Sequence, residues 1–333
     1  MSNSLIYYMK TLKSKIVAIF ITVIIISALI FGVLIYIKIS NTGDAYAYIT
    51  VDGIKRDFLI HLPQSYSESE ALPLIIALHG GGGNAKDMEK LTENGFNKLA
   101  AKGNFIVVYP NGIGRHWNDG RNLSFYYTQK ENINDVKFIS ELIDYMVEKY
   151  NVNPLRVYVT GMSNGALMTY RLAYELSNKI AAVAPVDGSI PLNIYLNETP
   201  IAPIPVLMIN NVADPILPWN GGYAHFGNKK LGKVLSVEET AAFWARIDNC
   251  TLVKSKEYLP DTDPNDGTRV WMRLYLNNTT GMEVIQYGID GGGHTWPSGE
   301  QYLPQSIIGK TSKDINACNL IWEFFRNYQI QSE

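Results

Sequence analysis

Cysteine is nearly absent from this chain, with only Cys250 and Cys318 in 333 residues. At most one disulfide is possible, so a fold must rest on its apolar core. Charge is sparse as well: 29 basic residues stand against 31 acidic ones, the net charge is −2, and no basic cluster lies beyond the N-terminus. Nucleic acid is therefore not an expected partner. Internal repeats and low-complexity segments are missing. No close His/Asp/Glu spacing suggests a metal site, and no metal or cofactor is expected. The glycine run Gly80–Gly83 lacks the Gly-Lys-Ser/Thr ending of a phosphate-cradling loop, and no dinucleotide fingerprint follows it. What is present is 47% hydrophobic sequence, enough for one large domain or two small ones.

One apolar run is long. Ile16 to Ile37 carries no charge, with Lys10, Lys13 and Lys15 before it and Lys38 after. As a helix these 22 residues measure about 33 Å, enough to cross the hydrocarbon of a bilayer. The lysines in front predict that the N-terminus stays inside and the remainder lies outside. Cleavage after Ala47, at the Ala45-Tyr46-Ala47 triplet, is the competing reading, but signal-peptide apolar regions are shorter and lie closer to their cleavage sites. The expected organisation is a short cytoplasmic segment at 1–15, a transmembrane anchor at 16–37, a linker at 38–45 and a catalytic domain at 46–330.

Within that domain, Tyr46–Val51 and Ile54–Leu62 read as two strands around Asp52-Gly53, a hairpin signal. Buried strands are expected at Leu74–Leu78, Phe105–Tyr109, Ala181–Val186 and Val206–Ile209, with helices at Lys86–Ala101 and Asn134–Tyr150. This alternation predicts an α/β fold with a mostly parallel central sheet and helices on both faces. Ligands of such sheets bind at the carboxyl ends of the strands.

The chemistry centres on Arg156 to Gly165. A short β-rich run leads into Gly161-Met162-Ser163-Asn164-Gly165, and a helical pattern follows. That is the strand–turn–helix order of a G-x-S-x-G nucleophile elbow. It predicts Ser163 as nucleophile, with the Asn164 N–H directed at a developing oxyanion. A buried strand running into His79 and four glycines matches an oxyanion loop. An acid is then needed after the elbow and beyond a strand. Asp214 fits, while Asp187 and Asp290 also border strands and stay open as alternatives. The base must come last. His61 sits in a strand, His79 belongs to the glycine loop, His116 precedes the elbow, and His225 lies in an irregular segment. His294 follows a strand and Gly291–Gly293, and is the expected base.

The stretches ALHGGGGN, VVYPNGIGRHWNDGR, RVYVTGMSNGALMTYRLA, AAVAPVDG, ADPILPWNGG and GGGHTWP together resemble the secreted polyhydroxybutyrate depolymerase and feruloyl esterase family of α/β-hydrolases. The likeness runs from about residue 48 to 328. It implies an α/β-hydrolase fold, a triad on Ser163, Asp214 and His294, and oxyanion donors on the backbone of Asn164 and Gly81. Two departures are visible: the family usually has His-Gly where Asn210-Asn211 stands, and Gly at Ala166. The family often pairs a cysteine near Cys250 with one before the last strand, a stretch that here reads Leu276-Asn277-Asn278; a Cys250–Cys318 bridge is left open.

The expected activity is hydrolysis of carboxylic esters of feruloyl, acetyl or short hydroxyalkanoate type, borne on a small molecule, a polysaccharide or a polyester. A polyhydroxybutyrate depolymerase, a peptidase with the same triad and a non-catalytic binding module are the alternatives. Trp117, Trp219 and Trp296 each adjoin a motif at the active end and are the expected substrate contacts. Asp119 and Arg121 are expected to pin their own loop by an ion pair.

Overall fold

The structure is a computed structural model that describes residues 43–331. The segment 1–15, the anchor expected at 16–37 and the first residues of the linker lie outside the described residues. Among those described, no helix is long and apolar enough to cross a membrane.

The chain opens on a hairpin of β1 (Asp44–Val51) and β2 (Ile54–His61). Its turn residues Asp52 and Gly53 both have positive φ, 50° and 77°, the left-handed pair of a two-residue turn. Then come β3 (Leu72–Leu78), α1 (Ala85–Leu91), α2 (Gly95–Gly103), β4 (Ile106–Pro110), α3 (Tyr127–Lys130), α4 (Asp135–Tyr150), β5 (Val152–Met162) and α5 (Asn164–Glu175). They are followed by β6 (Ala182–Val186), α6 (Leu192–Asn197), β7 (Val206–Asn211), β8 (Gly222–Phe226), β9 (Lys229–Val234) and α7 (Val237–Ile247). The chain finishes with β10 (Thr251–Tyr258), β11 (Arg269–Leu276), β12 (Glu283–Asp290), α8 (Gln305–Ile308) and α9 (Ala317–Phe325).

Ten strands form one sheet in the order β1-β2-β4-β3-β5-β6-β7-β12-β11-β10. The six from β4 to β12 are mutually parallel. On the outside, β2 pairs antiparallel with β4, and β11 joins β12 and β10 the same way. β8 and β9 make a separate two-stranded sheet.

Alternate residues of the central strands feed two cores. Leu74, Ile76, Leu78, Val157 and Val159 pack with α4, α5 and α7 on one face. Ile75, Ala77 and Tyr158 pack with α1, α2 and α9 on the other. Each fully buried Leu, Ile, Val or Phe contributes roughly 1.5–3 kcal/mol, against about 0–1 for an exposed ion pair, so the cores hold the sheet. No bridge is needed: Cys250 and Cys318 are both free thiols. Cys318 is buried on α9 against Gly95, whereas Cys250 directs its sulfur to the Met282 carbonyl at 3.2 Å.

Two elements differ from the sequence expectation. The single helix expected at 86–101 is two, because Glu93 and Asn94 are left-handed (φ 51° and 55°) and a second helix starts at Gly95. His225, expected in an irregular segment, lies within β8.

Candidate active site

β5 ends at Met162 and α5 begins at Asn164, leaving Ser163 between them at φ 58°, ψ −121°. A non-glycine residue held there stores on the order of 1–3 kcal/mol of strain. The flanking glycines make the turn possible: a Cβ on Gly161 would sit 2.6 Å from the Gly165 carbonyl oxygen, and one on Gly165 would sit 2.3 Å from that of Leu78. The Ser163 N–H donates to Val186 O at 3.1 Å, which docks the elbow on β6.

The glycine loop leaves β3 directly beside the elbow. A Cβ on Gly80 would lie 3.5 Å from that of Ser163, so this backbone passes against the expected nucleophile. His79 organises the loop in its neutral form: Nδ1 lies 2.8 Å from Gly80 O, and Nε2 accepts from the Gly112 N–H at 3.0 Å. Burial pushes this imidazole down to about 4, which keeps Nε2 an acceptor. Gly81 lies between His116 and Asn164, 3.1 Å and 3.6 Å from a notional Cβ. As the first residue of α5, Asn164 offers an N–H with no intrahelical partner. Its side chain is clamped, accepting from Trp117 N at 2.8 Å and donating to Asp119 at 2.6 Å. Asp119 is fully buried and paired with Arg121 at 2.6 Å. The expected ion pair therefore does more than pin its own loop, since it also orients the residue after Ser163.

β7 and β12, adjacent in the sheet, deliver the expected acid, Asp214, and the expected base, His294. His294 Nδ1 lies 2.6 Å from Asp214 Oδ2 in a buried contact. The other Asp214 oxygen accepts from Ile216 N and Leu217 N at 2.7 and 2.9 Å. Burial alone would lower the His294 pKa, but the Asp214 charge and hydrogen bond, with the Asp187 charge behind them, raise it above the ordinary imidazole value.

Asp187, the alternative acid, is also close. Ligand atoms of Asp187, Asp214 and His294 all lie within 4.8 Å of one another. Asp187 instead accepts from Asn211 N, from Asn211 Nδ2 and from Thr295 N, at 2.9 to 3.0 Å. Burial and the Asp214 charge push its carboxyl up to about 8. Among the described residues this is the cluster spaced to hold a cation, but His294 Nδ1 is engaged with Asp214, and the Asp187 oxygens with Asn211 and Thr295. Asp290, the third candidate acid, is bound to Trp271, Tyr258 and Lys256.

Ser163 and His294 open onto a cleft of about 630 Å³, also lined by Gly80–Gly83 and Asn164. Apolar and aromatic side chains, Tyr126, Leu217, Ala224, Phe226, Leu231 and Tyr302, line it alongside several charged ones. None of the three expected tryptophans lines it. Trp117 is fully buried and donates its indole N–H to His79 O at 2.9 Å. Trp296 is buried edge-on to Phe96, 6.0 Å between ring centres. Trp219 packs against Trp271 at 5.6 Å. Large flat rings beside tight glycine loops fill the space under those loops. The aromatic walls come instead from Tyr126, from Phe226 of the β8–β9 hairpin and from Tyr302. Motif spacing does not mark these residues; their exposure does, since Phe226 and Tyr302 are 52% and 38% exposed.

With this geometry in view, likeness to known proteins is informative. Residues 65–243 match the phospholipase/carboxylesterase family. NocK of Nocardia uniformis subsp. tsuyamanensis, named as an esterase, is 29% identical over 283 residues, which cover 83% of this chain and 80% of that one. Feruloyl esterase B of Piromyces equi is 26% identical over 251 residues, 74% of this chain but only 44% of the relative. The structure of acetyl xylan esterase from Aspergillus awamori superposes with a TM-score of 0.51 at 16% identity, over 75% of this chain and 94% of that one, which shows a shared α/β-hydrolase fold. The chain belongs to the phospholipase/carboxylesterase family, serine hydrolases of α/β-hydrolase fold that act on carboxylic ester bonds.

Proposed function

We propose that the protein is an extracytoplasmic esterase in which Ser163, His294 and Asp214 form the catalytic triad. The 2.6 Å contact between His294 and Asp214, on the cleft that exposes Ser163, carries this reading. His294 Nε2 takes the Ser163 proton as the hydroxyl attacks an ester carbonyl. Asp214 fixes the Nδ1–H tautomer and stabilises the imidazolium. The oxyanion goes to the backbone N–H groups of Asn164 and Gly81. His294 then returns the proton to the leaving alcohol, and water cleaves the acyl-enzyme by the reverse path. No step requires a metal.

The substrate we infer is an ester of an aromatic or short hydroxy acid displayed on a polysaccharide or short oligomer. The apolar walls at Leu217, Ala224 and Leu231 suit an acyl group, and the rings of Tyr126, Phe226 and Tyr302 suit a planar or sugar face. Relatives named feruloyl esterase support the ester class. The decisive comparison is kcat/KM for methyl ferulate, acetylated xylan, a hydroxybutyrate trimer, a peptide amide and nitrophenyl acetate. Ser163→Ala should lose about six decades of turnover on the best of them. A variant retaining a tenth of activity ends the assignment, and a trimer beating ferulate tenfold moves it to the depolymerase side.

We further propose, from the charge-free run at 16–37 and the lysines before it, that the domain is tethered to the outer face of a membrane. Fractionation with N-terminal sequencing tests this, and a soluble form beginning at Tyr48 would replace the anchor with a cleaved leader.

A further inference from the structure

The wall of the cleft formed by the β8–β9 hairpin continues onto the surface with an unusual composition. Between Asp214 and Glu238 the chain has no acidic residue, yet it carries Lys229, Lys230 and Lys233 in a protein whose net charge is −2. Exposed rings accompany these lysines: Tyr223, Phe226 and, from the adjoining loop, Phe125 are 41%, 52% and 46% exposed. The ammonium groups lie on ring faces. Lys229 Nζ is 3.7 Å from the Phe125 ring centre and 5.2 Å from that of Tyr126, while Lys230 and Lys233 approach Tyr223 at 4.6 and 5.0 Å.

Charge pairing separates these lysines from the other charged groups at the cleft. Arg121 is paired with Asp119, Lys90 with Glu300, and Asp87 with Arg115, at 2.6, 2.7 and 2.8 Å. His116 stacks on Tyr126 at 3.8 Å and is held below its ordinary pKa chiefly by burial. Among the described residues, no carboxylate pairs with Lys229, Lys230 or Lys233. The positive charge left over at the cleft mouth therefore belongs to this hairpin, and it is interleaved with flat apolar surface.

We propose that the β8–β9 hairpin and the Phe125–Tyr126 segment form a docking surface for an anionic polysaccharide, the polymer that carries the ester. This inference rests on the esterase reading and specifies its substrate class. Pyranose rings stack on exposed aromatic faces, and carboxylates along the chain exchange the lysine–ring contacts for ion pairs. Phe226 and Lys229 belong both to this surface and to the cleft lining, so a polymer lying on the hairpin leads an attached ester toward Ser163. An anionic bilayer would satisfy the lysines, but Tyr126, Phe226 and Lys229 line the cleft itself, which a polymer chain can enter and a flat bilayer cannot. The polymer is favoured for that reason.

The test measures binding of the full chain carrying Ser163→Ala, in detergent, to polygalacturonate and to neutral xylan at rising salt. Polygalacturonate is expected to bind more tightly, with affinity falling as salt rises. Adding Lys230→Gln and Lys233→Gln should weaken that binding roughly 2- to 30-fold, the range expected for two exposed ion pairs, and leave xylan binding unchanged. Thermal melting of the same variants verifies folding. Equal affinity for the two polymers, indifference to salt, or retention only on anionic vesicles would overturn the proposal. Turnover of nitrophenyl acetate by the Ser163 form is read separately. Hydrolysis without salt-sensitive binding sinks the docking surface alone, whereas binding without hydrolysis sinks the esterase reading.

Discussion

The Asn211 side-chain amide donates to both carboxylate oxygens of Asp187, at 3.0 and 2.9 Å. Asp187 also receives the Thr295 N–H, so it fastens the end of β7 to the residue after His294. The resemblance drawn from the sequence implies glycine at the position of Asn211. The two carboxylates near His294 thus have different work: Asp214 faces the imidazole, and Asp187 holds the loop that carries it. Asp214→Asn should lower kcat by about 10⁴, the scale of losing the correct tautomer. Asp187→Asn keeps size and one acceptor, and should cost roughly tenfold. Steady-state kinetics of the pair decides the assignment, and the reverse order of severity would transfer the acid to Asp187.

Protonation of His79 is expected to set a lower pH limit on stability. Its folded pKa is depressed to about 4, against about 6.5 unfolded. The sign follows: its contribution to stability is fully present above about 6.5 and is lost as pH falls through about 4. Protonating Nε2 removes the acceptor for the Gly112 N–H and loosens the glycine loop. His79→Gln should therefore flatten the fall in melting temperature between pH 6.5 and 4, and lower kcat by up to about 10²-fold through a misplaced oxyanion donor. A melting curve that keeps the wild-type slope over that window excludes His79 as its source.

Trp117 and Phe226 should separate framework from specificity. Trp117→Phe loses the bond to His79 O and is expected to lower kcat/KM by a similar factor for every ester. Phe226→Ala is expected to depress esters of aromatic acids alone, by roughly 2- to 10-fold relative to nitrophenyl acetate, whose acyl group carries no ring, the range of one ring contact. If Trp117→Phe reorders the substrates and Phe226→Ala does not, the tryptophan belongs in the pocket after all.

Asp248 gives the opposite pH slope. It is buried at the end of α7, accepts the Ile204 N–H at 3.0 Å, and is pushed up to about 7 by burial. A raised carboxyl pKa means that its contribution is full below about 4 and disappears as pH rises through about 7. Unfolding free energy should fall by roughly 2–4 kcal/mol across that window on its account. Asp248→Asn cannot ionise, so its denaturation midpoint should change less between pH 4 and 8; parallel pH curves for the two proteins would show that Asp248 carries none of the slope.

The frame was legible because parallel strands buried on both faces must be apolar runs, and because Ser163, Asp214 and His294 fall where such strands end. Less could be read where burial leaves no pattern. All eight residues of β10 are exposed, so no apolar alternation announced that strand. In β8 and β9 only Ala224, Gly232 and Val234 are buried, too few to mark either strand by its pattern. The break at Glu93-Asn94 has no proline to mark it, although Gly95 was a signal. The tryptophans misled for a physical reason: a ring next to a glycine-rich turn is more useful beneath the turn than on it. Asn211 is the clearest miss, since its departure from the usual glycine was visible while its partner was not.

The β8–β9 ribbon is hydrogen-bonded as its own sheet and enters the chain after Asp214, between the acid and α7. Both of its ends return to the same neighbourhood, with Pro191 bridging to Val234. Such an insertion can drift, lengthen or be exchanged without altering the register of any strand that carries the reacting groups. On the proposed reading, evolution and protein engineering would have separate handles here, one for which polymer is gripped and one for how its ester is broken.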